Sequence, residues 1–359
     1  MLAPHVPRCK TLCYDVTFTS SLPRLATDFP NTAHHLSKLV LKASVANGMT
    51  GFLDGTEVTH FPFPVLQDLE IDGWNFVEIY TNAGWWFEEL LKTSTNMVHT
   101  LAISQYRPMM RGEIQHRFLI DDAFPLLSKF RRLLLDNVDF DCTSDENPFT
   151  HNIEPESLEL CSLSGPLTAA MLEKFLHVPF LTIVRCPLTD LGAFPACALT
   201  LRNIDYPAIA QDLRVLLPDW DGYELRIDNC PGFDDSILDM LGATRVLNTT
   251  TGEERLNASM LVNLSIENCH GFSIAALRRM TEARKIFIAG STSDDLRDLT
   301  VLIRNVPTLE AEDRQWFARN FGDASLWRYD MDIWERSRIC RANWAWRGVV
   351  QRPMFEICF

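Results

Sequence analysis

Leu225-Arg226-Ile227-Asp228-Asn229-Cys230-Pro231-Gly232-Phe233 returns 39 residues later as Leu264-Ser265-Ile266-Glu267-Asn268-Cys269-His270-Gly271-Phe272. Both stretches read L-x-L-x-x-Φ, with Φ a residue able to fill a core. In an extended chain the first and third residues point to one face and the residue between them to the other. The sixth position turns the chain back into the core, and a small side chain such as Cys230 or Cys269 fits there.

Working outward, the frame is clear again at Leu66-Gln67-Asp68-Leu69-Glu70-Ile71-Asp72-Gly73-Trp74 and Phe130-Arg131-Arg132-Leu133-Leu134-Leu135-Asp136-Asn137-Val138. Weaker copies begin at Leu39, Leu101, Leu158, Leu181, Leu199 and Ile286, and a faint one at Leu12. Successive copies lie 18 to 39 residues apart, with a mean near the leucine-rich-repeat range. Between them helices are expected at 85–91, 167–178, 234–241, 273–283 and 293–303, with start signals at Asp234, Asp235 and Ser273. Strand followed by helix, many times, predicts an α/β leucine-rich-repeat solenoid over residues 1–305, with about eleven irregular repeats. A curved parallel sheet should line its concave face and helices its convex face. A doubly wound fold would need longer apolar strands and a phosphate loop, and neither G-x-G-x-x-G nor G-x-x-x-x-G-K-[ST] occurs.

Residues 306–359 differ in texture. Trp316, Trp327, Trp334, Trp344 and Trp346 interleave with Arg328, Arg336, Arg338, Arg341, Arg347 and Arg352. Aromatics among arginines can stack on nucleic-acid bases, but the open end of a solenoid must be covered and Trp is mainly a packing residue. A Trp-rich C-terminal cap is therefore expected.

Hydrophobic residues make up 47% and charged residues 22% of the chain, as in a folded soluble protein. A net charge of −14 argues against nucleic acid or an anionic membrane surface as partner, since both require clustered Lys and Arg. No segment approaches the roughly 18 apolar residues of a membrane helix. The start, Met1 to Lys10, has no basic flank and apolar run of a signal peptide. The ten cysteines form no dense framework, so reduced thiols in the cytoplasm or nucleus are expected. The sequons at Asn248, Asn257 and Asn263 then read as chance matches.

Candidate chemistry is sparse. Cys9, Cys13 and His5, or His34 beside His35, have no second half for a zinc site. No nucleophile signature such as G-x-S-x-G singles out a catalytic residue, and the frame already explains Cys186, Cys230 and Cys269. Asp121-Asp122, Asp234-Asp235 and Asp294-Asp295 fall at expected helix starts, where carboxylates cap and complement the dipole. The acidic run from Asp139 to His151 reads as a solvated insertion that could also serve as a contact loop. No catalytic residue, metal or cofactor is predicted.

The frame also places residues on the outward side of the strands: Val40, Lys42, Glu70, Asp72, Ala102, Ser104, Leu134, Asp136, Glu159, Cys161, Arg226, Asp228, Ser265, Glu267, Phe287 and Ala289. Six carboxylates stand against Lys42 and Arg226. The expected binding face, Lys42, Glu70, Asp72, Ser104, Asp136, Glu159, Arg226, Asp228 and Glu267, should carry negative potential and favour a protein partner with a basic docking surface.

The run Pro4-His5-Val6-Pro7-Arg8-Cys9-Lys10-Thr11-Leu12, followed by Leu36-Ser37-Lys38-Leu39-Val40-Leu41 and the paired motifs at Leu225 and Leu264, resembles the leucine-rich-repeat region of fungal F-box proteins, particularly the mushroom families. The likeness spans roughly residues 4–305. It implies a protein-binding module that holds the substrate of a cullin-RING ubiquitin ligase, while an F-box docks on a Skp-type adaptor. The chain begins inside the region that follows the box, and no Leu-Pro-x-Glu-type segment precedes Pro4. The family's adaptor-binding residues therefore transfer to no position, and an adaptor is expected only with a box upstream. The alternative is a stand-alone leucine-rich-repeat scaffold.

Overall fold

The computed structural model describes residues 8–328 apart from 26, 30–31, 46, 48–60, 93–99, 109, 112–113, 116–117, 143–154, 176, 190, 249–252, 291–298, 306–309 and 322–326. The chain opens with strands β1 (Thr11–Phe18), β2 (Lys38–Val45) and β3 (Asp68–Asp72), then helices α1 (Gly73–Ala83) and α2 (Trp85–Lys92) and strand β4 (Thr100–Tyr106). A two-residue pair, β5 (Met110–Arg111) and β6 (Ile114–Gln115), leads to α3 (Ile120–Leu127), β7 (Arg132–Val138) and β8 (Ser157–Cys161). Next come α4 (Gly165–Lys174), β9 (Val178–Val184), β10 (Ala196–Arg202), α5 (Ile209–Leu216), β11 (Glu224–Asp228) and α6 (Asp235–Gly242). A hairpin of β12 (Thr244–Asn248) and β13 (Glu253–Leu256) precedes β14 (Asn263–Glu267), α7 (Ile274–Gly290), β15 (Thr300–Arg304), α8 (Ala311–Phe321) and β16 (Trp327–Arg328).

Twelve of these strands form one sheet in chain order, β1-β2-β3-β4-β7-β8-β9-β10-β11-β14-β15-β16, and each neighbouring pair is parallel. The fold is thus α/β with a large parallel sheet. Its register repeats the frame from strand to strand. Leu39, Leu69, Leu101, Leu133, Leu158, Leu181, Leu199, Leu225, Leu264 and Val301 form one buried row. Leu41, Ile71, Ile103, Leu135, Leu160, Ile183, Leu201, Ile227, Ile266 and Ile303 form the second. Each strand alone could not cover such a row, and its neighbours complete the cover.

The turn at each strand end has its own register. Gln105, Asn137, Ser162, Arg185, Asn203, Asn229, Asn268 and Asn305 all have φ between 48° and 55°. Each follows or closes a strand at the same level, so eight successive strands turn over through one left-handed residue. Asn recurs because its short polar side chain tolerates this region and bonds locally. The amides join into runs: Asn137 Nδ2 donates to Gln105 Oε1 at 2.7 Å, Asn229 Nδ2 to Asn203 Oδ1 at 2.7 Å, and Asn305 Nδ2 to Asn268 Oδ1 at 3.0 Å. Backbone bonds reinforce the turn, with Asn203 N–H donating to Asp228 O and Asn229 N–H to Glu267 O, both at 2.9 Å. The next residue drops into the core, as Cys186, Ile204, Cys230 and Cys269 do.

β3 closes differently. Asp72 caps α1, accepting from Trp74 N–H at 2.9 Å, and Gly73 enters the helix directly. A Cβ on Gly73 would lie 2.2 Å from Tyr106 Cβ, so only glycine lets β4 pack there. Trp74, expected at the end of the strand frame, consequently belongs to α1.

Two other expectations are corrected. The frame at Ile286 lies inside α7, whose Ala276, Leu277, Met280, Thr281 and Arg284 are buried at helical spacing. Phe287 and Ala289 are therefore helical and not on the sheet. The segment expected as helix at 293–303 ends in strand β15, which runs on to Arg304, while 291–298, with Asp294-Asp295, lie outside the described residues. The helices expected at 85–91, 167–178, 234–241 and 273–283 overlap α2, α4, α6 and α7, and α1, α3 and α5 add to them. Of the Trp-rich end, Trp316 lies in α8 and Trp327 in β16, whereas Trp334, Trp344 and Trp346 lie outside the described residues, as do His5 and most of the acidic run up to His151.

Candidate interaction face

One side of the sheet holds the two aliphatic rows. The other carries outward residues in rows whose members come from consecutive strands, two of which hold the expected binding face. The middle row runs Val40, Glu70, Ala102, Leu134, Glu159, Thr182, Thr200, Arg226, Ser265 and Leu302. Beside it runs Lys42 on β2, then Asp72, Ser104, Asp136, Cys161, Val184, Arg202, Asp228, Glu267 and Arg304 on β3 to β15. All nine residues expected on the binding face stand at these positions.

Their environments divide them. Asp72 and Ser104 are buried, as are Val40 and Ala102, so on β2–β4 these four outer positions are shut from solvent while Lys42 and Glu70 stay accessible. Asp72 is fully buried as the cap of α1, and its Oδ2 accepts from Asn75 Nδ2 at 2.6 Å. Burial pushes its carboxyl up to about 6, against the bonds that favour the charge. It is thus a structural cap and presents nothing to a partner. Asn75 carries the network on, accepting from Leu25 N–H at 2.9 Å, which ties the segment after β1 to α1.

Of the remaining carboxylates, Glu70, Asp136, Asp228 and Glu267 are paired with cations. Lys42 Nζ lies 2.8 Å from Glu70 Oε1, and that bond leads in raising the lysine pKa. Burial raises the Asp136 carboxyl, while Arg185 at 3.9 Å opposes the rise. Asp228 Oδ2 accepts from Arg202 Nε at 3.2 Å and its Oδ1 from Asn268 Nδ2 at 2.7 Å. Glu267 Oε1 lies 3.1 Å from Arg226 Nη2 and 3.5 Å from Arg304 Nη1, and also accepts from Ser265 Oγ at 3.2 Å. Glu159 Oε1 accepts from the Cys161 thiol at 3.5 Å. The six-to-two excess of carboxylate expected from the sequence is offset by Arg202 and Arg304 in the same row and by Arg185 beside it.

Arg202 and Arg304 are hard to place from sequence for identifiable reasons. Leu199-Thr200-Leu201-Arg202 is a weak copy with no Asn-Cys turn after it, and Val301-Leu302-Ile303-Arg304 runs along the end of the helix expected at 293–303. The usable signal was Arg immediately after the second inward residue of each frame.

Chemistry elsewhere is muted. Burial pushes the thiols of Cys230 and Cys269 up to about 12 and about 11, which keeps them protonated near neutral pH. Cys269 Sγ donates to Glu267 O at 3.2 Å and Cys186 Sγ to Val184 O at 3.3 Å, so these side chains satisfy the turning backbone. Cys197 Sγ lies 3.6 Å from His177 Nε2, but burial raises this thiol as well. Asp234 caps α6 through Ser236 N–H, and Asp121 and Asp122 lie in the first turn of α3. Among the described residues no three His, Cys, Asp or Glu side chains converge as metal ligands, and no helix is long and apolar enough to cross a membrane. No protein-family model matches the chain, and no curated protein matches it.

Proposed function

We propose that the chain is a leucine-rich-repeat solenoid that binds another protein through the outer face of its sheet and carries out no chemistry of its own. The observation that supports this reading most is the sheet itself. Its strands follow chain order, the ten between β1 and β16 each contribute two inward aliphatics, and the side chains on the opposite face vary freely from strand to strand. An array of this kind separates the residues that hold the fold from those that meet a partner. Outer residues such as Leu134, Phe180, Thr182 and Thr200 are not needed by the core and remain partly or well exposed from β7 to β10.

On the resemblance to F-box proteins, the partner would be a substrate presented to a ubiquitin ligase. Recovery of a Skp-type adaptor with the chain tests that extension. The binding claim is tested by native affinity capture and mass spectrometry on the wild-type chain and a Leu134→Arg, Phe180→Glu, Thr200→Arg variant. The expected result is a stoichiometric partner lost from a variant that retains the wild-type melting profile. Partners unaffected by this variant but lost on substituting Trp85 and Val215, exposed residues of α2 and α5, would overturn it.

A further inference from the structure

Resting on that reading, we propose that the face from β9 to β15 binds an acidic segment of the partner, an extended stretch with two or more Asp or Glu side chains. It does so through Arg185, Arg202, Arg226 and Arg304. The reason lies in which member of each ion pair is accessible. The side chains of Asp228 and Glu267 are only 16% and 11% exposed, whereas Arg202, Arg226 and Arg304 are 40%, 38% and 38% exposed and Arg185 is 58% exposed. Asp228 and Glu267 are thus sunk while the arginines they hold stay accessible, and Arg185 is more exposed than Asp136, which is 35% exposed.

Asp228 and one oxygen of Glu267 are also engaged. Both oxygens of Asp228 already take a side-chain donor, and Glu267 Oε1 faces three. Each guanidinium has five N–H groups, yet among the described residues Arg202 bonds through Nε alone and Arg304 through one Nη alone. Arg185 gives its Nε to Ser162 Oγ at 2.9 Å and only approaches Asp136. A partner meeting this surface finds unused donors in planar forks, the geometry that suits carboxylates. The buried carboxylates hold the arginines in place, as preorganisation requires.

The spacing fits an extended segment. β9, β10, β11, β14 and β15 are consecutive in the sheet, so Arg185 and Arg304 lie about 19 Å apart across four strand steps. About six extended residues span that distance, with alternate side chains facing the sheet. The overall charge of −14 repels such a segment at long range, but that repulsion is screened beyond about 8 Å at physiological salt while contact pairing is not.

The test is fluorescence anisotropy of the full chain with three labelled probes: an alternating Glu-Ala octapeptide, its Lys-Ala counterpart and a phosphoserine-Ala counterpart. The Glu probe should bind at least tenfold more tightly than the Lys probe and lose at least tenfold in affinity with Arg185→Gln plus Arg304→Gln. Because that change unpairs carboxylates, Arg202→Lys serves as a second variant; it keeps the charge, removes the fork, and should weaken binding several-fold with unchanged melting. Tighter binding of the Lys probe, Glu binding indifferent to both variants, or no binding at millimolar probe would overturn the inference. A tenfold preference for the phosphoserine probe would also overturn it. A partner captured in the preceding experiment that binds the arginine variants normally refutes this inference alone. Absence of any captured partner refutes the interaction reading itself.

Discussion

Arg284 offers a quantitative test of how the array is held together. It is 1% exposed in the middle of α7. Its Nη1 donates to Leu241 O and Asn257 O, each at 2.9 Å, and its Nη2 to Ala258 O at 3.0 Å and Leu261 O at 3.3 Å. One side chain thus satisfies the end of α6 and the turn leading into β14, a region lengthened by the β12–β13 hairpin. Burial lowers its pKa to about 10, so it remains charged at neutral pH. Arg284→Met removes the charge and leaves four inward-facing carbonyls without that donor. Net charge-assisted bonds contribute about 1.5–3 kcal/mol each, but the substitution also relieves the desolvation of the guanidinium, and an expected loss of roughly 3–5 kcal/mol follows. Urea unfolding should show it as a lower midpoint, and hydrogen exchange should rise first in residues 235–264. Arg284→Lys should lose nearly as much, because one ammonium cannot reach carbonyls on both sides. A loss below about 1 kcal/mol with unchanged exchange would refute the assignment of Arg284 as the staple of this region.

Three further outcomes follow from the same geometry. Asn268→Ala should cost about 2 kcal/mol, from left-handed strain and two lost amide bonds, and Asn268→Gly about 1 kcal/mol less because glycine removes the strain; equal losses in chemical denaturation would discount the left-handed turn. Gly73→Ala forces a Cβ against Tyr106 and should cost at least about 1–3 kcal/mol, read as a fall in melting temperature; an unchanged melt would mean that β4 can shift freely. Asp72 has a folded pKa raised to about 6 from 3.8, so its contribution is greatest below pH 4 and is lost as pH rises through 6. Asp72→Asn, which can still cap α1, should therefore remove a fall in stability on the order of 2–3 kcal/mol between pH 4 and pH 7. The same pH slope in variant and wild type would exclude Asp72 as its source.

The rows of the sheet were legible because a buried parallel strand repeats its demand at every copy. Leu225-Arg226-Ile227 and Leu264-Ser265-Ile266 differ only where the side chain faces outward. Weak copies at Leu158, Leu181 and Leu199 also landed on strands, since two inward aliphatics at a spacing of two suffice. Ile286 mimicked that spacing within a helix, where the buried Arg284 was the contrary signal and reads as surface in a sequence. Residue-level alternation also placed Glu70, Asp136 and Asp228 on the correct face. It could not show depth, because whether Glu267 lies between two arginines depends on Arg226 and Arg304, each more than 30 residues away. Charge counted along strands therefore suggested an acidic strip, whereas side-chain reach across strands puts arginine outermost.

The most direct test of the central claim is hydroxyl-radical footprinting of the chain alone and bound to its captured partner. If the outer sheet face is the binding surface, Leu134, Phe180 and Leu302 should become protected while Trp85, Val215 and Ile286 on the helices react as before. Protection confined to Trp85, Val215 and Ile286, with Phe180 still fully reactive, would contradict it.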